Sequence, residues 1–219
     1  MKKIFFATIA LFILSNHGFS QLNWRALQNG QSHMIQVHAG LDYSTSLGIG
    51  YAFRLPVNFP VVAQADYSFP AGENVLDDFK TRLGAQAEVL HVGNFSAAVS
   101  AYGVFRRFEN QTARIVNFGS SFSSVVGYFK RGWHAAAQVG FDKAITSQVK
   151  HSKWMHENYP GIQDGWYIPT GGNFTYGVQT GVSMGTHDVT VKAGRVLTQD
   201  FKTAPFIPYY VQVGYQKRF

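Results

Sequence analysis

From residue 35 to Phe219, apolar and polar side chains repeatedly alternate at every second position. Ile35, Val37, Ala39, Leu41 and Tyr43 point one way; Gln36, His38, Gly40 and Asp42 point the other. The same split recurs at 47–54, 61–69, 82–89, 95–106, 122–128, 133–142, 174–185, 189–197 and 209–219. Period two is the signature of β-strands with one apolar face. The reading is all-β with about ten strands, or eight if 47–54 and 189–197 are not strands. Arg195 and Lys217 break the rule by falling on the apolar face. Lys217 is near a strand end, where its head can snorkel to a polar layer. A β-bulge near Arg195 would turn that residue to the other face.

Composition narrows the class. Charged residues make up 14% of the 219 residues, aromatics 16%, and there are 22 Gly and no Cys. Soluble domains carry about 25% charge. Many aromatics and little charge exclude disorder. The absence of Cys excludes a disulfide scaffold and a thiolate zinc site. Lys2 and Lys3, the apolar run 4–14 and Gly18-Phe19-Ser20 read as a signal peptide over 1–20, with 21–34 an N-terminal periplasmic segment and 35–219 the β domain. The run is too short to span a bilayer, and no later segment approaches the roughly 20 apolar residues of a membrane helix. Cleavage lowers the formal charge from +7 to +5. The remaining basic residues form no single tract, so nucleic acid is not an expected partner.

A soluble sandwich also alternates. Two features favour a transmembrane barrel. Aromatics sit at segment ends and small or aliphatic residues in the middle, as where Phe95 and Phe105 bracket Ala97, Val99 and Ala101. Two interfacial girdles around a lipid-facing band produce that order. Connection lengths also alternate, with short links at 56–60, 91–94, 130–132 and 185–188, and long ones at 70–79, 108–121, 145–173 and 198–207. Short turns on one side of the membrane and long loops on the other give this rhythm.

Gln212, Gly214, Tyr215 and the terminal Phe219 resemble the C-terminal assembly signal of Gram-negative outer-membrane β-barrel proteins. The resemblance implies an up-and-down antiparallel barrel in outer-membrane lipid, inserted by the barrel-assembly machinery. It implies no cofactor and does not select among the activities the fold supports.

The inward face carries the remaining information. Asp42, Asp66, Arg82, Arg106 and Asp142 fall near the long-loop end and read as an interior charge network, since buried charges need partners. His38, Glu88, His134, Arg54 and Arg218 fall lower. Inward Gly and Ala leave room for Tyr102 and Gln side chains to cross, so ten strands should enclose a filled lumen or a narrow wet path. The longest loop carries His151, Trp154, His156, Tyr159 and Trp166, which read either as a loop folded over the barrel mouth by its aromatics or as a candidate surface-binding set. His151, His156 and Glu157 are metal-ligand types, but their spacing is not a metal signature. The expected role is non-enzymatic: a narrow pore, a surface binder, or a subunit with an envelope protein partner. The alternative is a barrel enzyme acting on lipid A or surface peptides. The omptin proteases are similar in strand count, yet no inward His lies beside the upper carboxylates here.

Overall fold

The computed structural model describes residues 23–28, 30–41, 45–70, 77–201, 205 and 207–219. The signal peptide expected at 1–20 and Asp42 lie outside them. The strands are β1 (His33–Leu41), β2 (Thr45–Arg54), β3 (Val61–Pro70), β4 (Asp78–Val92), β5 (Phe95–Glu109), β6 (Ala113–Lys130), β7 (Trp133–His151), β8 (Gly165–Tyr167), β9 (Gly172–Met184), β10 (His187–Thr198) and β11 (Tyr209–Arg218). A 3-10 helix spans Trp24–Gln28, and one helix, α1, spans Lys153–Asn158.

Ten of these strands close a ring, each antiparallel to the next, with β7 pairing β9 directly and the short β8 lying outside it. β11 returns to β1 from Met34 opposite Arg218 to Leu41 opposite Val211. The seam ends in a reciprocal pair: the His33 N–H donates to the Phe219 carbonyl at 3.1 Å, and the Phe219 N–H donates back to His33 at 3.0 Å. Closure satisfies the backbone of both edge strands. The segments at 47–54 and 189–197 are β2 and β10, so the barrel has ten strands rather than eight.

Burial is inverted relative to a soluble domain. Leu83 is 68% exposed and Val178 62%, whereas Gln36 and Gln212 are each 1% exposed. The apolar set of each strand faces out and the polar set faces the axis. Outward aromatics form two belts. At the turn end His33 stacks on Phe219 and packs on Phe53, and Phe95, Tyr128 and Trp133 are in contact. At the loop end a run of ring contacts passes from Phe69 through Tyr67, Phe79, Phe105 and Phe118 to Trp166.

Two local expectations need correction. The segment 108–121 is not a long loop: β5 and β6 stay paired as far as Glu109 opposite Arg114, and only 110–112 turn. The Asn110 side chain accepts from the N–H of Thr112 and of Ala113, each at 2.9 Å, which stabilises a tight reversal. Likewise β7 runs on to His151, so β6 and β7 reach 18 and 19 residues, beyond the roughly 9–11 that cross a bilayer. Arg195 has no bulge beside it. It pairs in unbroken register with Tyr176 and Tyr209, faces outward, and its guanidinium lies 5.1 Å from the Tyr209 ring centroid. Position near the strand end, and not a register change, accommodates this charge. The register shifts lie instead between Glu88 and Leu90 and between Phe118 and Gly119.

Candidate functional site: the lumen and its two ends

Three levels divide the interior. The middle is polar and filled. Asp66 on β3 and Arg82 on β4 are direct cross-strand partners, so one register position places a carboxylate beside a guanidinium. Arg82 Nη2 donates to Asp66 Oδ1 at 2.9 Å and Nε to the same oxygen at 3.3 Å. Gln36 Nε2 donates to Asp66 Oδ2 at 3.5 Å, and His38 Nδ1 lies 3.7 Å from that oxygen. Contrary to the expectation from strand height, an inward His does stand beside one of these carboxylates, brought within reach of it by the β1–β2–β3 register. Charge-assisted bonds of this kind compensate the desolvation of both ions only when the remaining donors are also met. Tyr102 crosses the lumen and donates to Gln64 Oε1 at 2.8 Å; Gln138 Nε2 donates to the Tyr210 hydroxyl at 2.6 Å. Glycine makes these crossings possible. A Cβ on Gly48 would stand 2.0 Å from His38 Nε2, and one on Gly177 would stand 2.4 Å from the Tyr210 hydroxyl. A cavity of about 50 Å³ remains between Arg82, Tyr102, Gln138, Asp142 and Tyr210, room for a few waters.

Arg106 makes a two-pronged pair with Asp78, at 3.1 and 2.9 Å. Asp142 lines the cavity with Arg82. Lys192 also faces the interior at 1% exposure, and its Nζ has no hydrogen-bond partner among the described residues. Its inward position follows from the period-two alternation of β10.

The turn end is apolar. Met34, Ala52, Val62, Ala98, Val125, Phe129 and Ala136 face inward there and surround Trp24 and Leu27 of the 3-10 helix. Leu27 is fully buried, and the Trp24 and Phe129 ring centroids are 4.6 Å apart. Polar ties reach the same segment from several sides. Arg25 pairs with Glu88 at 3.3 Å, Arg54 donates to the Leu27 carbonyl at 3.2 Å, and Arg218 donates to Gln31 Oε1 at 3.3 Å. Arg218 Nε also lies 2.8 Å from Asp188. Trp24 and Leu27 therefore plug the inner part of the barrel mouth, beside a cavity of about 670 Å³ bordered by Asn23, Arg25, Phe129 and Arg218. The sequence signal for this is the pair Val62 and Val125, apolar residues at inward positions near short turns.

At the loop end, β4 to β7 rise beyond the level where β9 leaves β7 at Lys143 opposite Gly172, and β8 adds to the rim through Val149 opposite Gly165. The candidate loop residues divide into two groups. His151 and His156 converge on Asp164: His151 Nδ1 is 2.9 Å from Asp164 Oδ1, and His156 Nε2 is 3.3 Å from Oδ2. Trp154 and Tyr159 pair edge to face on α1, while Trp166 joins the aromatic belt at Phe118. The carboxylate beside the two His is Asp164, and not the Glu157 that lies next to His156 in sequence. Glu157 instead pairs with Lys153 at 3.6 Å, the i,i+4 partner on its own helix. The backbone N–H of His151, then its side chain, hold the Asp164 carboxyl down to about 2, with His156 adding to the effect.

Of the C-terminal residues expected to carry an assembly signal, Tyr215 and Phe219 face outward and Gly214 faces the lumen opposite His38. No protein-family model matches the chain, and no curated protein matches it. Among solved structures the fold is similar to one described as "KdgM porin in complex with disordered oligogalacturonate", at TM-score 0.43 and 11% identity over 85% of this chain and 99% of that one. Likeness at this level bears on neither solute nor activity.

Proposed function

We propose that this chain is an integral outer-membrane β-barrel of non-enzymatic role, closed at rest, that acts through its loop end at the cell surface. Inverted burial is the observation that carries the membrane reading. A closed ring with a large outward apolar face between two aromatic belts suits lipid, where every backbone group must be satisfied internally. The short turns and the 3-10 helix then face the periplasm, and the rim of β4 to β8 faces outward. Fractionation of cells carrying the chain tests this reading: the mature protein is expected in the outer-membrane fraction, with heat-modifiable mobility on gels. Recovery in soluble periplasm overturns it.

Closure at rest is supported by the buried mid-lumen side chains and by Trp24 and Leu27 in the turn-end mouth. Asp66 and Asp78 are each held by a guanidinium partner, Arg82 and Arg106, which suits structure better than acid–base chemistry. A second reading, a narrow pore, rests on the polar mid-lumen. Gln86 and Gln179 present buried amides without protein partners among the described residues, and groups of this kind are commonly met by water. Planar-bilayer recording of the refolded wild-type chain separates the two. Silence supports the closed barrel; steady conductance steps establish the pore.

A further inference from the structure

We propose that His151, His156 and Asp164 form a binding site for a zinc-class divalent cation on the loop-end rim. Their ligand atoms, two imidazole nitrogens and a carboxylate oxygen, all lie within 4.8 Å of one another. Four ligands at about 2.0–2.2 Å around a tetrahedral ion stand roughly 3.3–3.5 Å apart. The closest His151–Asp164 and His156–Asp164 separations, 2.9 and 3.3 Å, already approach that spacing.

Three separate elements bring the ligands together. His151 is the last residue of β7, held by the pairing of β7 with β6 opposite Ala113. His156 rides on α1, which begins at the N-cap Ser152; the Ser152 hydroxyl accepts from the Met155 N–H at 3.3 Å. Asp164 immediately precedes β8, whose Gly165 pairs with Val149. The backbone N–H of His151 donates to Asp164 Oδ1 at 2.8 Å and fixes that carboxylate from below. The two imidazole rings stand at 88° to each other, so they do not stack and both present edges toward the same carboxylate.

The donor set selects the class of ion. Imidazole and carboxylate suit zinc and its neighbours, whereas calcium and magnesium take oxygen ligands almost exclusively. Three protein ligands leave a fourth position for water or for a donor on an incoming molecule. His156 and Asp164 are more than a third exposed, so an ion reaches them without opening the barrel. Binding itself does not depend on the membrane reading; only the statement that the ion comes from outside the cell does. A failed fractionation and a failed titration are therefore distinguishable.

The test uses the full mature chain refolded in detergent micelles, titrated with zinc chloride by calorimetry and with cobalt(II) by visible absorption. One ion per chain is expected, with the bands of four-coordinate cobalt. His156→Gln and Asp164→Asn should each weaken binding at least about tenfold while the heat-modifiable folded form persists. His187→Gln, at the opposite end of the barrel, should leave binding unchanged. Absence of stoichiometric binding overturns the proposal and leaves a His–Asp–His hydrogen-bonded cluster. Binding that survives both loop variants, or is lost with His187→Gln, overturns it as well.

Discussion

Trp24 packs against Phe129 with ring centroids 4.6 Å apart and planes inclined by 58°, and this contact ties residues that precede the barrel to the inner wall of β6. Truncating a buried Trp typically costs about 3–5 kcal/mol. Trp24→Ala should therefore loosen the 23–28 segment by about 3 kcal/mol without unfolding the ring. Hydrogen exchange should rise at 23–31 and stay low in β1 and β11. The variant should also pass ions in planar bilayers if this segment is the barrier.

Asp66 takes contacts from Arg82, Gln36 and His38 in a buried setting. Asp66→Asn leaves the guanidinium without its counter-charge and should destabilise the barrel by about 3 kcal/mol, measured by urea unfolding in micelles. Asp66→Asn with Arg82→Gln should recover part of that loss. If the double variant is as unstable as the sum of the singles, the two residues are not coupled.

His38 and Gly48 test the packing of the lumen. The three heavy atoms nearest the Cβ of Gly48→Ala would all belong to the imidazole of His38, at 2.0–2.8 Å, so the closest clash is with a side chain. An overpacked site costs about 1–3 kcal/mol. His38→Ala introduced together with Gly48→Ala should remove that cost. By contrast, Gly84→Ala places its Cβ 2.0 Å from the Ala101 carbonyl, and no side-chain truncation should rescue it.

The outward face gives a depth-dependent prediction. Leu83 pairs with Ala65 near the middle of β3 and is 68% exposed. Leu83→Arg should destabilise the barrel in lipid vesicles by about 2–4 kcal/mol, the cost of a charge at the bilayer midplane. Arg195→Leu, near the upper aromatic belt, should change stability by less than about 1 kcal/mol. Equal effects at both positions would remove the assignment of a lipid band.

Strand number and facing were legible because period two is enforced independently in every strand, and one slipped residue would turn a whole face over. The extension of β5 to β7 was hidden for a physical reason. Alternation is enforced by the contrast between lipid and lumen, and above the band both faces meet polar surroundings. Residues 108–121 therefore read as loop although their backbone is paired on both sides of the 110–112 turn. The Arg82–Asp66 contact was foreseeable as a charge pair in general, but its partners depended on register. Asp164 was invisible because its meeting with His151 and His156 depends on β8 folding back along β7. The turn-end filling was missed because residues 21–34 carry no periodicity to read.

The reciprocal hydrogen bonds between His33 and Phe219 carry a consequence for the order of events in time. The strands they join are separated by nearly the whole described sequence, while every other pairing in the ring joins strands that follow one another closely or are separated by one loop excursion. Nine hairpin pairings can form locally and early, but the seam must wait for the two outermost strands to find each other. Until then two unpaired edges persist, and any sticky neighbour competes for them. Whatever delivers this chain to its final place has to guard those edges to the end.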